Sequence, residues 1–148
     1  MVSCAVATTP EPDPVSRVRA VLGARPVPGI VSAYVFGSLA EGRAHRDSDV
    51  DIGVLFDRQV YRDERSRFEA QIDLRRHLSP ASVGRPVDIV VLNDAPPVFA
   101  RRIVRGEQVF CADREADHGY RRDVQLRAAD LDPFLRRMRR LIHARLTQ

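Results

Sequence analysis

The sequence predicts an α/β (α+β) fold in which a small mixed β-sheet is flanked by helices. Three short apolar runs, residues 31–36, 50–56 and 87–92, have the length and composition of strands. Amphipathic helical patterns lie between and after these runs, and prolines and glycines mark many of their ends. A chain of 148 residues with 44% hydrophobic and 30% charged residues fits one globular domain with a modest core.

The order of the elements follows from apolar periodicity and from chain breakers. Residues 1–14 include three prolines in five positions, which predict a disordered tail. A helix over 15–24, a strand over 31–36, a helical turn over 39–42 and a strand over 50–56 follow. Next comes a helix over 58–78, with Tyr61, Phe68 and Ile72 on its buried side. The pattern then predicts a strand over 87–92 that buries one acid, a helix over 98–105 and an edge strand over 108–111.

The C-terminal segment, residues 113–148, predicts two helices rather than one. Asp132 and Pro133 have the pattern of an N-cap followed by the first helical residue, so a break is expected there. The second helix carries an apolar stripe faced by arginines. This stripe predicts either a core face or an interface with a second copy or another protein.

Charge and cysteine content limit the classes of function. The chain has 24 basic residues, all of them arginine, and 20 acidic residues, for a net charge of +4. This mixed surface does not indicate direct binding to nucleic acid. No apolar run is long enough to span a membrane, and the N-terminus lacks the pattern of a signal peptide. Cys4 and Cys111 form no metal-ligand spacing, so a cytoplasmic location is expected.

The most informative pattern joins a turn to a pair of acids. Gly37-Ser38 ends the first strand, and Asp49 and Asp51 lead into the second. Alternate residues of a strand share a face, so the two carboxylates lie about 7 Å apart on one side. Carboxylates at that spacing can share divalent cations, and a Gly-Ser turn can offer N–H groups and a hydroxyl to phosphates. Asp88, in the third strand, is a candidate third acid.

Each part of this pattern has an ordinary interpretation when taken alone. An Asp-x-Asp pair is common on solvated strands, and Gly-Ser is often only a turn. The whole arrangement, with a fixed spacer and a later strand acid, is much rarer and favours a site for metal and nucleotide. Arg43, Arg46 and Ser48 in the spacer are further candidates for contact with a triphosphate.

These residues resemble the signature of the DNA polymerase β-like nucleotidyltransferase superfamily. The spacer between Ser38 and Asp49 and the small size of the chain are most similar to the minimal nucleotidyltransferase (MNT) antitoxins. The resemblance covers roughly residues 30–115 and implies the polymerase β-like nucleotidyltransferase fold. It implies a nucleotidyltransferase core over residues 15–112, with the helical segment 113–148 packed on that core or on a partner.

The resemblance also implies a chemistry and a set of roles. Asp49, Asp51 and Asp88 would be the catalytic residues and the ligands of a two-metal Mg²⁺ site, with ATP as the substrate. Three such acids repel one another, so at least one is expected to have a raised pKa without metal. The nucleotide-binding residues would be Gly37, Ser38, Arg43 and Ser48.

The acceptor implied for the MNT group is a protein. The expected activity is transfer of AMP from ATP to a tyrosine hydroxyl of a HEPN-domain RNase toxin, which neutralises that toxin. The expected assembly is a hetero-oligomer with the toxin, and a homodimer is also compatible with the last helix. Two other hypotheses stay open: a small-molecule nucleotidyltransferase of the aminoglycoside type, and an antitoxin that occludes its toxin without catalysis.

Overall fold

A four-stranded mixed sheet forms the centre of the molecule. The computed structural model describes residues 12–45 and 47–147. The predicted tail therefore lies almost entirely outside the described residues. The strands stand in the order β3-β2-β1-β4. Strand β1 pairs antiparallel with β2 and β4, whereas β2 and β3 run parallel. The predicted mixed sheet and the edge position of β4 are confirmed, and the strand bounds are β1 Ile30–Phe36, β2 Val50–Phe56, β3 Val87–Val91 and β4 Glu107–Cys111.

Two hydrophobic clusters cover the two faces of the sheet. Helices α1 (Pro14–Ala24) and α2 (Glu64–Leu78) pack on one face, where Val18, Leu22 and Leu78 are fully buried. Helices α3 (Pro97–Val104) and α4 (Arg114–Leu146) lie on the other face, with the first half of α4 in contact with the core. Because strand residues alternate between faces, Asp51, Gly53 and Leu55 of β2 point to the side of α3 and α4.

Helix α2 begins later and buries less than the sequence predicts. The side chain of Asp63 accepts a hydrogen bond from the Ser66 amide at 2.6 Å, so the helix begins at Glu64 and not at residue 58. Phe68 and Ile72, which were expected to be buried, are 58% and 38% exposed. The physical reason is that α2 packs over the edge strand β3. The free carbonyls of β3 accept hydrogen bonds from polar side chains of α2: Gln71 donates to the Ile89 carbonyl and Arg75 to the Val87 carbonyl.

Helix α4 is continuous, so the predicted break at Asp132 is wrong. Pro133 lies inside the helix, and Asp132 does not cap a new one. Its carboxylate instead accepts two hydrogen bonds from Arg101 of α3, both at 2.9 Å. This paired contact holds α4 against α3 at the place where the sequence suggested an end.

The first half of α4 is fixed to the sheet by a buried polar network. The Tyr34 hydroxyl donates to Asp117 at 2.5 Å, and the Gln108 amide donates to both of these side chains. Burial and the Asp117 carboxylate raise the pKa of Tyr34, which stays a neutral donor. Tyr120 is half-buried, and its hydroxyl donates to the Leu92 carbonyl at 2.7 Å. None of the helices among the described residues has the apolar length needed to cross a bilayer.

Candidate active site

The three predicted acids lie on one face of the sheet, at the end where β1 finishes. Asp51 stands opposite Phe36 in the antiparallel pair and opposite Asp88 in the parallel pair. Asp49 precedes β2 and falls on the same face as Asp51 by strand alternation. Asp51 is half-buried, whereas Asp49 and Asp88 are exposed. The prediction that β3 buries its acid is therefore wrong, because β3 is an edge strand and its acid remains open to solvent.

The charges of Asp49 and Asp88 act on the carboxyl group of Asp51. Burial raises the pKa of Asp51, and the negative charges of Asp88 and Asp49 raise it further. The guanidinium of Arg102 on α3 acts in the opposite direction on the same carboxyl. The expectation that one acid of the set has a raised pKa is met at Asp51, the most enclosed of the three.

Gly37 brings the turn against Asp51. Its φ of +72° belongs to the left-handed region, which residues with a side chain rarely adopt. A Cβ at this position would lie 2.5 Å from Oδ2 of Asp51. Hydrogen bonds from Glu41 to the Gly37 carbonyl and from Arg43 to the Ser38 carbonyl close the turn that follows. The turn and Asp51 therefore meet at atomic contact, at a place where only glycine fits.

The spacer residues hold the loop in shape. Arg43 forms an exposed ion pair with Glu41. The Ser48 hydroxyl accepts a hydrogen bond from the His45 amide at 2.7 Å, and Arg85 donates to the carbonyls of His45 and Ser48. Arg46 lies outside the described residues. Arg43 would have to leave Glu41, at least in part, to contact a nucleotide, whereas the Ser48 hydroxyl accepts its hydrogen bond and keeps its own proton for donation.

A groove of about 700 Å³ opens beside Gly37 and is rich in arginine. Its lining also includes the apolar Phe36 and Val98 and the acidic Glu41 and Glu107. Arg101 is held by Asp132, while Arg102 contacts Glu41 only loosely at 3.9 Å. Sequence patterns alone did not reveal this group, since its members come from α3, from its C-cap and from α4, and only the fold brings them together. The arginines of the groove are Arg101, Arg102, Arg105 and Arg139.

The carboxylates of Asp49, Asp51 and Asp88 suit a hard cation, although they do not converge on one point. Among residues 12–45 and 47–147, no three acidic, histidine or cysteine side chains converge closely enough to hold a metal ion as they stand. The three carboxylates nevertheless share one face and act on one another's charge. Carboxylate oxygens are the ligands that Mg²⁺ prefers, so the chemistry of the set fits that ion.

Similarity to known proteins covers the same region. A model of the family described as "Polymerase beta, Nucleotidyltransferase" matches residues 24–115. The protein adenylyltransferase MntA of Shewanella oneidensis is 34% identical to this chain over 85 residues, which are 57% of this chain and 56% of that relative. This chain therefore matches little more than half the length of that relative.

Solved structures share the fold. A toxin–antitoxin complex with AMP-PNP contains a chain that superposes with a TM-score of 0.58 at 23% identity, covering 90% of this chain and 98% of that one. A tri-AMPylated HEPN toxin of Shewanella oneidensis in complex with an MNT antitoxin gives a TM-score of 0.54 at 21% identity, covering 91% and 97%. At these identities the likeness concerns the fold alone.

Proposed function

The chain belongs to the polymerase beta nucleotidyltransferase family, and we propose that it is a protein adenylyltransferase antitoxin. It transfers AMP from ATP to a tyrosine hydroxyl of a HEPN-domain toxin and so neutralises the toxin. One observation carries the proposal: Asp51 lies in register with Asp88 on one side and with Phe36, the residue before Gly37, on the other. The name of the relative MntA and the toxin–antitoxin complexes with the same fold support the choice of acceptor.

The nucleotide would lie with its phosphates over the Gly37-Ser38 turn. The absence of a side chain at residue 37 lets the backbone approach a phosphate closely, and the Ser38 hydroxyl can donate to a phosphate oxygen. The chain has no lysine, so its own positive charge near the triphosphate must come from arginine. Arg102 is the arginine that acts on Asp51, and we assign it to this role beside the weaker candidate Arg43, while Ser48 would offer a hydroxyl to the phosphates.

Asp49, Asp51 and Asp88 would hold Mg²⁺, which supplies neutralisation of the triphosphate charge when bound. The tyrosine oxygen attacks the α-phosphorus, and the bond from that phosphorus to pyrophosphate breaks. Asp88 accepts the hydroxyl proton, since it is the exposed acid on the outer strand and an acceptor protein can reach it. A cytoplasmic location fits the free thiol of Cys111.

Intact-mass spectrometry tests the proposal directly. This protein is incubated with MgATP and the product of the neighbouring gene, which the proposal expects to be a HEPN-domain protein. Mass gains of that protein in whole AMP units are expected, and the double variant Asp49→Asn/Asp51→Asn should abolish them. As a matched control, Asp130→Asn removes an exposed acid of α4 and should transfer AMP normally.

Two results would replace the proposal by its alternatives. A stable complex that neutralises the toxin without any mass gain would indicate an antitoxin that acts by occlusion. Absence of both complex and mass gain, together with AMP transfer to an aminoglycoside, would indicate a small-molecule enzyme.

A further inference from the structure

The last part of α4 extends beyond the core. From Arg136 to Thr147 every described residue is exposed. We call residues 133–147 the C-terminal overhang. Its tie to the rest of the molecule is the neighbouring Arg101–Asp132 ion pair and the half-buried Leu135. An internal proline costs a helix about 3 kcal/mol, and short isolated helices are marginal in water. A helix that continues past Pro133 with no buried residue over 133–147 is expected to gain its packing elsewhere.

The overhang repeats the pattern that buries the first half of the helix. Val124 and Ala128 are buried against the core, and positions 131, 135, 138 and 142 continue the same spacing of three and four residues. The face that packs on the sheet therefore runs on without a break into solvent. The exposed apolar residues of this face are Leu131, Met138, Ile142 and Leu146. Phe134, which is 60% exposed, and Leu141 widen the face along one edge.

The charge of the overhang indicates what covers this stripe. Residues 133–147 contain five arginines and no acidic residue. Two such overhangs packed together would place like charges along both edges of the contact, which opposes pairing with a second copy. An apolar groove with acidic residues on its rims would instead match both the stripe and its arginine flanks.

The overhang also borders the candidate active site. Arg139 lines the arginine-rich groove in which Gly37 and Arg102 take part. Arg139 borders the apolar stripe, because it lies four residues after Leu135 and three before Ile142 on the helix. A protein seated on the stripe would thus be held beside the acids that act on its hydroxyl.

We propose that the C-terminal overhang is the docking helix for the acceptor protein, which offers an acid-rimmed apolar groove. The inference rests on the proposed function, because the partner it selects is the protein that receives AMP. Docking through α4 would separate recognition from chemistry, because the apolar stripe binds the acceptor protein and the three acids of the sheet carry out the transfer.

The test compares two leucines of the same helix. Leu141→Glu places a charge within the stripe, and Leu126→Glu does so at a similarly exposed leucine of the first half of α4. The probe is the product of the neighbouring gene, which the proposed function expects to be a HEPN-domain protein. Binding is measured by titration calorimetry, and AMP transfer by intact mass. Leu141→Glu is expected to weaken binding at least about 10-fold and to raise KM for the acceptor without changing kcat, whereas Leu126→Glu behaves as wild type.

Each other outcome has a defined meaning. Equal affinities of Leu141→Glu and wild type would overturn the docking proposal and leave the transfer reaction standing. Binding that depends on Leu141 but yields no mass gain would support the docking helix and overturn the catalytic proposal. A wild-type dimer that Leu141→Glu converts to a monomer would show that a second copy covers the stripe and would overturn the inference. Absence of binding by the wild type would overturn it as well.

Discussion

At Gly37, one missing side chain serves two physical requirements. The turn needs a positive φ, and the carboxylate of Asp51 occupies the space that a Cβ would take. Gly37→Ala is expected to lower the free energy of unfolding by about 1–2 kcal/mol from the strained backbone. It should also displace Asp51 and reduce AMP transfer severely. Chemical denaturation and initial rates measure the two effects.

Gly42 offers the matched control for this change. Its φ is +68°, yet nothing lies within 4 Å of the position of its Cβ. Gly42→Ala should therefore cost similar stability while losing much less activity. Equal loss of activity in the two variants would show that backbone strain, and not contact with Asp51, explains the effect of Gly37→Ala.

Asp51 should make stability depend on pH. Because its pKa is raised in the folded state, the folded protein binds more protons than the unfolded chain between pH 3.8 and that raised value. The contribution of Asp51 to stability is therefore fully present below the unfolded pKa and is lost as pH rises through the folded pKa. Asp51→Asn removes this loss, so the variant should melt at a higher temperature than wild type at pH 7, and the difference should shrink toward pH 4. A difference that is constant with pH, or equal to that of Asp130→Asn, would contradict this assignment.

Packing of α3 on the sheet depends on another glycine. A Cβ at Gly53 would overlap the side chain of the fully buried Ile103. Gly53→Ala is expected to cost about 1–3 kcal/mol of stability, because overpacking forces neighbours out of place. Gly119→Ala, in an exposed turn of α4 with nothing within 4 Å, should instead stabilise by up to about 1 kcal/mol. Urea denaturation compares them, and the same sign for both would refute the packing argument.

The elements also show where sequence patterns suffice. Strands could be located because their apolar runs are short and bounded by breakers. Asp63 and Asp132 both precede plausible helices, but only Asp63 acts as a cap. The Asp132 carboxylate pairs with Arg101 of α3 instead, and the sequence around Asp132 does not indicate this tertiary contact. The division into a core and a C-terminal helical segment remains a prediction.

The same distinction applies to the candidate site. The turn and the acids were predicted because they lie on adjacent strands within a recognisable pattern of fixed spacing. Arg102 and Arg139 were not predicted, because they lie more than 60 and 100 residues after Ser38 and are two of 24 arginines distributed along the chain. Their place beside Gly37 follows from the packing of α3 and α4 on the acid-bearing face.

For the whole molecule, ligand binding should appear as thermal stability. The folded state holds three mutually repelling acids beside an arginine groove, and the unfolded chain separates all of these charges. A ligand that binds only the folded state stabilises it by about 2.7 kcal/mol at a concentration 100 times its Kd. MgCl₂ with α,β-methylene-ATP, which cannot transfer AMP, is therefore expected to raise the melting temperature clearly.

Two variants assign that stabilisation to its parts. Asp49→Asn/Asp51→Asn should start from a higher melting temperature without ligand, because repulsion is relieved, and should respond little to Mg²⁺. Arg102→Gln should keep the response to Mg²⁺ alone and lose much of the further rise on adding the nucleotide, since it removes positive charge near the phosphates. A double Asp variant that responds to Mg²⁺ as strongly as wild type would place the cation elsewhere. An Arg102→Gln protein with the full nucleotide response would remove Arg102 from the phosphate site, and with it the link between the groove and the reaction.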